Sequence, residues 1–219
     1  MKLPFPALTL ATGNAHKVKE LTRSLAPLSI PLLSLQDFPQ ATPVEEDGAT
    51  LRDNAQKKAT GYAQQLGEWV LADDTGLQVA VLHGEPGVRS ARYAGEQATA
   101  LDNRTKLLDR LRDVPLEKRV ARFVCHLVIA DPQGQIRYEA IGECHGRICD
   151  AARGAYGIGY DTLLEIVEYR RRLAELSPAA TQLIGHRGRA VYQLLKQLKI
   201  VTLARGASRW TTLGDPNPD

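Results

Sequence analysis

Asp73 and Asp74 stand side by side in the run Asp73-Asp74-Thr75-Gly76, between two short apolar stretches. Adjacent carboxylates repel, and both stay ionised more easily with a divalent cation between them. Oxygen ligands suit magnesium, which keeps several of its waters and bridges substrate phosphates. A purely structural role for the pair is equally open. Glu45-Glu46-Asp47 is a second acidic run, just ahead of a strongly helical stretch. Its acids are either further ligands or charges that favour a helix N-terminus. Thr12-Gly13-Asn14-Ala15-His16-Lys17 is a third cluster, where an apolar strand meets a helix. A tight turn there exposes backbone N–H groups to an anion, and Lys17 adds a full charge. The same six residues also make sense as an ordinary capped turn. The Walker A pattern G-x-x-x-x-G-K-[ST] is absent from the chain.

The fourth cluster combines Gly157-Ile158-Gly159-Tyr160-Asp161 with His186-Arg187-Gly188. Tyr160 offers a ring for a nucleobase, Asp161 accepts from N–H groups, and Arg187 donates to a carbonyl oxygen. Taken alone, His186 reads as a satisfied surface histidine. Together with the cations Lys57, Lys58 and Arg92, the four clusters describe a site for a nucleotide. No nucleophile elbow is recognisable, and no thiol has an obvious activating partner. The implied chemistry is metal-assisted attack of water on phosphorus, without a covalent intermediate.

Strand-like and helix-like segments alternate along the chain, which predicts an α/β architecture. Residues 7–12 read as a strand, His16 to Leu25 as a helix that Pro27 stops, and 29–35 as a second strand. From Thr50 to Leu66, Leu51, Ala55, Ala59, Tyr62, Ala63 and Leu66 form one apolar stripe. Thr50 is its N-cap and Gly67 its stop. Short strands are expected at 69–72 and 77–82, separated by the Asp-Asp-Thr-Gly run, then a helix near 99–112. Residues 120–131 and 135–148, joined at Gln133-Gly134, predict an antiparallel hairpin. A last helix is expected over much of 188–198. Residues 1–204 are expected to form one two-lobed domain, and 205–219 a poorly ordered extension.

Among the 219 residues, 43% are hydrophobic and 24% charged, which excludes disorder for most of the chain. A net charge of +3 is too mild for duplex nucleic-acid binding. No apolar run approaches the roughly 18–20 residues of a membrane span. The N-terminal stretch, broken by two prolines, makes a poor signal peptide, so a cytoplasmic protein is expected. Cys125, Cys144 and Cys149 lack zinc or redox spacing and read as reduced thiols. Arg170-Arg171-Arg172 reads as a solvated loop or edge.

The stretches ATGNAHKVKEL, EEDGATLRDNAQKKA, LADDTGLQV, GEPGVRSARYAG, GIGYD, LAELSP and GHRGRA run from about residue 8 to 195. In them the chain resembles the inosine triphosphatase family. The resemblance implies an elongated α/β fold of two lobes, with a mixed central sheet flanked by helices and an active-site cleft between the lobes. It also implies a homodimer. The implied reaction is magnesium-dependent hydrolysis of ITP, dITP or XTP to the monophosphate and pyrophosphate, which clears deaminated purines from the nucleotide pool. Carried over by position, Thr12, Gly13, Asn14 and Lys17 cradle the phosphates. Glu46 and Asp74 hold Mg2+ with Asp73 beside them, and Asp74 is the proton acceptor. Asn54, Lys58, Thr75 and Arg92 contact substrate, while Tyr160, Asp161, His186 and Arg187 meet the base.

Three departures from the family pattern fall at the base end. Ile158 stands where an aromatic residue is usual, Thr181 where a lysine is, and Gly185 where a serine is. With Gly159 they border the base in the family's arrangement. Losing a stacking aromatic costs about 1–3 kcal/mol per base. The expectation remains a working pyrophosphatase for these deaminated purine nucleotides, and one alternative is a pyrophosphatase with weakened or altered base selection. The other alternative is a nucleotide-binding protein with weak turnover.

Overall fold

A computed structural model describes residues 3–200. Residues 201–219, which include the extension expected from 205 onward, lie outside the described residues, as do residues 1–2. The described elements are β1 (Leu8–Leu10), α1 (Ala15–Leu25), β2 (Leu32–Ser34), α2 (Leu51–Leu66), β3 (Val70–Val79) and α3 (Ala100–Arg110). They continue with β4 (Val120–Ala130), β5 (Ile136–Ile148), β6 (Leu164–Ile166), β7 (Arg171–Arg172), α4 (Pro178–Ile184) and α5 (His186–Gln197). All seven strands form one sheet in the order β2-β1-β3-β4-β5-β6-β7. β1 is parallel to both β2 and β3, and the pairs from β3 to β7 are antiparallel. The sheet is therefore mixed and flanked by helices, as expected.

α2 packs on one face of the sheet. Its stripe of Ala55, Ala59, Tyr62 and Ala63 meets Val70, Ala72, Val128 and Ala130. Small side chains let the helix approach closely, and Thr50 and Asp53 close a reciprocal capping box at its start. The opposite face is covered by α1 and α5, whose Leu21, Leu25, Val191 and Leu194 pack on Leu71, Leu127 and Ile129. Each of these large side chains contributes about 1.5–3 kcal/mol by its burial. A third cluster, containing Leu77, Phe123, Leu107, Ile148 and Leu173, fills the far end of that face.

Several boundaries differ from the sequence expectation. Instead of two short strands at 69–72 and 77–82, one strand runs from Val70 to Val79, straight through Asp73-Asp74-Thr75-Gly76. Ten consecutive residues pair with β4, from Val70↔Ala130 to Val79↔Ala121. That long ladder overrides the local turn propensity of Asp and Gly. Gly76 serves close approach here, since a Cβ would collide with the Gly87 carbonyl. The second strand shrinks from 29–35 to Leu32–Ser34, and α5 begins at His186 rather than 188. In the arginine run, Arg170 and Arg171 are exposed, but Arg172 is buried beside Glu165, 3.9 Å away. The three cysteines are free and buried.

Candidate active site

β1 pairs with β3 only at Val70 and Leu71. Beyond them β1 no longer covers β3 at Asp73, at the point where the chain leaves β1 and enters α1. The edge is taken up again farther along, where Gln78 bridges Pro86. Crevices at the carboxyl ends of parallel strands are the usual ligand sites of α/β sheets. Side chains of a strand alternate between faces, so Asp73 and Asp74 go to opposite sides.

Asp74 faces α2. Its Oδ1 accepts from Lys58 Nζ at 3.2 Å, and the same ammonium donates to Glu46 Oε2 at 2.8 Å. Asn54 and Lys58, one helical turn apart, are both buried on this side. Asn54 Oδ1 accepts from Gly48 N at 2.7 Å, and Arg92 Nη2 donates to the Glu46 carbonyl at 3.2 Å. The loop carrying Glu46 is thus tied down from two sides. Burial raises the Asp74 carboxyl above its ordinary value, with Lys58 opposing and Glu46 adding to the rise. Burial alone would depress the Lys58 ammonium, but Asp74, Asp73 and Glu46 outweigh it and hold it above the usual lysine value. Lys57 pairs instead with Asp47 on the exposed side of the helix.

Asp73 faces α1 and α5 and is fully buried. Its Oδ2 accepts from Lys17 Nζ at 3.1 Å, Arg187 Nη2 at 3.1 Å, Arg187 Nε at 3.3 Å and Thr75 Oγ1 at 3.2 Å. Arg187 also bonds Glu20 through Nη1 and Thr75 Oγ1 through Nη2. Burial would raise Asp73, yet Lys17, Arg187 and Lys58 hold it well below the carboxylate range. The expected grouping of Asp73 with Glu46 and Asp74 therefore gives way to two clusters, one on each face of β3.

The turn into α1 is capped. Asn14 Oδ1 accepts from His16 N at 2.9 Å and Lys17 N at 3.3 Å, and Thr12 Oγ1 accepts from Asn14 N at 3.2 Å. These N–H groups are thus occupied, and the Lys17 ammonium of the same turn is paired with Asp73. Gly13 is exposed, with open space where a side chain would stand.

Asn14, Lys17 and Thr75 line a cleft of about 280 Å3. Ile158, Gly159, Tyr160, Asp161, Thr181, His186 and Arg187 line it too. Tyr160 is buried, and its hydroxyl donates to the Ser90 carbonyl at 3.1 Å. Burial pushes the Asp161 carboxyl up to about 7, with Glu20 adding to it, while the Ile158 N–H and Arg187 oppose. His186 is no surface residue. It is buried and stacks on Phe123 with ring centroids 4.6 Å apart. Burial and Arg187 keep its imidazole neutral. Gly142 makes this seat possible, because a Cβ there would collide with the His186 carbonyl and with Ala190 N.

Glu20, Ser90 and Phe123 also line the cleft, and the sequence reading does not pick them out. Glu20 lies three residues after Lys17, hence on one helix face, and that spacing is the available signal. Ser90 and Phe123 carry no local signal. Among the described residues, no group of three or more His, Cys, Asp or Glu is placed to hold a metal ion. No helix among them is long and apolar enough to cross a membrane.

Residues 8–197 match the model of the Ham1 family. The chain belongs to the Ham1 family. This Ham1 chain is 45% identical over 191 residues to the dITP/XTP pyrophosphatase of Rhodopirellula baltica, covering 87% of this chain and 92% of that one. It is 46% identical to the dITP/XTP pyrophosphatase of Geobacter sulfurreducens over 87% of this chain and 96% of that protein. Among solved structures, the HAM1 protein from Coxiella burnetii superposes with a TM-score of 0.81 at 34% identity, covering 89% and 99% of the two chains. The Staphylococcus aureus Ham1 protein gives a TM-score of 0.78 at 32% identity, covering 88% and 98%.

Proposed function

We propose that this Ham1 protein hydrolyses the deaminated purine nucleoside triphosphates dITP, ITP and XTP to the monophosphate and pyrophosphate. The observation that carries the reading is the Lys58 ammonium between Glu46 and Asp74. Two carboxylates converge there on one cation, while across β3 a cleft presents Lys17, paired with Asp73, and hydrogen-bonding groups for a base.

The donor set fits magnesium. Two carboxylates, completed by substrate phosphates and water, match the way this ion is bound. Glu46 and Asp74 would hold it, and Lys58 would turn toward the phosphates. When bound, the ion neutralises phosphate charge and acidifies a coordinated water. Asp74, held above the ordinary aspartate value by burial, takes the proton of the attacking water. Lys17 and Arg92 offset charge on the leaving pyrophosphate. At the base end, Asp161 and neutral His186 present acceptor and donor positions to the purine edge, and Tyr160 forms the wall.

Pyrophosphate release with Mg2+ across ITP, dITP, XTP, GTP, ATP and dUTP tests the reading, with Asp74→Asn as control. Turnover of ITP or XTP that the control abolishes is expected. Silence on every nucleotide would leave the binding-protein alternative. A second reading, altered base selection, is favoured by Ile158, which is 54% exposed at the cleft and stacks on nothing. A dimeric, cytoplasmic enzyme completes the proposal, and sedimentation of the purified protein tests the dimer.

A further inference from the structure

The two charged clusters on either side of β3 differ in what surrounds their carboxylates. Asp74 and Glu46 share one lysine. Asp73 is enclosed by two full positive charges, Lys17 and Arg187, and four donor atoms converge on its Oδ2. A divalent cation approaching that oxygen meets repulsion from both side chains. The side chain of Asp73 is fully buried, while that of Lys17 keeps 21% of its exposure and that of Arg187 keeps 9%. Both line the cleft, and in the proposed function the lysine serves its phosphate end and the arginine its base end. One carboxylate oxygen is thus the common anchor of both ends.

We propose that Asp73 is a positioning residue that couples the two ends of the cleft, and is not a ligand of the metal. It holds the Lys17 ammonium toward the phosphates and the Arg187 guanidinium toward the base. Thr75 bridges the same pair, donating to Asp73 and accepting from Arg187. Without the carboxylate, Lys17 and Arg187 face each other as like charges. Lys17 then swings to solvent, and Arg187 falls back on Glu20, its remaining charged partner. This inference rests on the nucleotide pyrophosphatase reading. Asp73 Oδ1 is buried with no protein partner among the described residues, so a contact to metal or water through that atom is the competing role.

Binding of magnesium pyrophosphate and of IMP, measured by calorimetry alongside ITP and GTP turnover, separates the two roles. Asp73→Asn is expected to weaken pyrophosphate binding and raise the KM for ITP roughly tenfold or more, and to narrow the preference for ITP over GTP. The Mg2+ concentration for half-maximal binding of pyrophosphate should stay within about twofold of wild type, whereas Glu46→Gln should raise it roughly tenfold. A comparable rise in Asp73→Asn makes Asp73 a ligand and overturns the proposal.

Should Asp73→Asn fail to fold, a cycle of Lys17→Met and Arg187→Lys carries the test. Coupling through Asp73 predicts that the double variant loses IMP and pyrophosphate affinity by at least about threefold less than the product of the single losses. Multiplicative losses overturn the coupling. A wild-type protein that binds neither pyrophosphate nor IMP overturns the pyrophosphatase reading and the coupling together. Binding with multiplicative losses removes the coupling alone.

Discussion

Lys58 Nζ lies 3.2 Å from Asp74 Oδ1, and both side chains are nearly closed to solvent, at 9% and 11% exposure. The same ammonium lies 2.8 Å from Glu46 Oε2, and in the proposed function a metal ion takes its place between the two carboxylates. Breaking a buried pair from one side costs about 3–5 kcal/mol, because the other charge is left unpaired. Lys58→Met should therefore lower the melting temperature in the absence of metal. Added Mg2+ should restore more stability in this variant than in wild type, since the ion takes over the role of the lost cation. Equal Mg2+ shifts in the two proteins would show that Glu46 and Asp74 do not bind the ion.

Asp161 gives the cleft a pH dependence. Its carboxyl is pushed up from the ordinary aspartate value of 3.8 to about 7, mainly by burial. Because the folded value is the raised one, its contribution to stability is complete below about pH 4 and is lost as pH rises through about 7. Asp161→Asn should be more stable than wild type at about pH 8, and the difference should vanish near pH 4. Each tenfold change in proton affinity between the folded and unfolded chain corresponds to about 1.4 kcal/mol, so the gain is measurable by chemical denaturation. The KM for ITP should change across neutrality in wild type and stay flat in the variant. A wild-type profile as flat as the variant's would remove Asp161 from base recognition.

Elements with strong local patterns are legible in the sequence. The stripe on α2, its Thr50 cap and its Gly67 stop all stand where the spacing puts them, and the β4–β5 hairpin follows its alternation. The continuity of β3 is not legible, because Asp-Asp-Thr-Gly carries turn propensity and only pairing with β4 overrules it. The consequence reaches the site. Two carboxylates in a turn can share a cation, whereas two neighbours in a strand cannot face the same side. The partners of Asp73 come from α1 and α5, more than fifty residues away on one side and more than a hundred on the other, and no local pattern encodes that meeting. The burial of His186 is hidden for the same reason, since it depends on Phe123 and Gly142.

Ile158 is half exposed at the cleft and has no packing role that a larger side chain would disturb. Ile158→Phe should leave stability within about 0.5 kcal/mol of wild type. A stacking ring is worth about 1–3 kcal/mol per base, or roughly ten- to hundredfold in affinity. The KM for ITP should therefore fall by about that factor while kcat changes little, because the carboxylate–lysine cluster lies on the other face of β3. An unchanged KM would mean that the base does not lie against this residue.

Gly142 tests whether the base end depends on the seating of α5 rather than on its side chains alone. In Gly142→Ala the new methyl must displace the His186 carbonyl or Ala190 N, both backbone atoms that cannot rotate away. Overpacking of this kind costs about 1–3 kcal/mol, and the shift falls on the first turn of α5, which carries His186 and Arg187. The variant should lose stability and also lose discrimination between ITP and GTP. Pyrophosphate affinity should be retained to a greater degree, since Lys58 and Glu46 lie on α2 and the loop before it. Gly146 provides the control, because a Cβ there collides with the Glu165 carbonyl, where β5 meets β6 away from α5. Gly146→Ala should lose stability with discrimination intact. Equal loss of discrimination in both variants would mean that general loosening of the sheet, and not the position of α5, governs base selection.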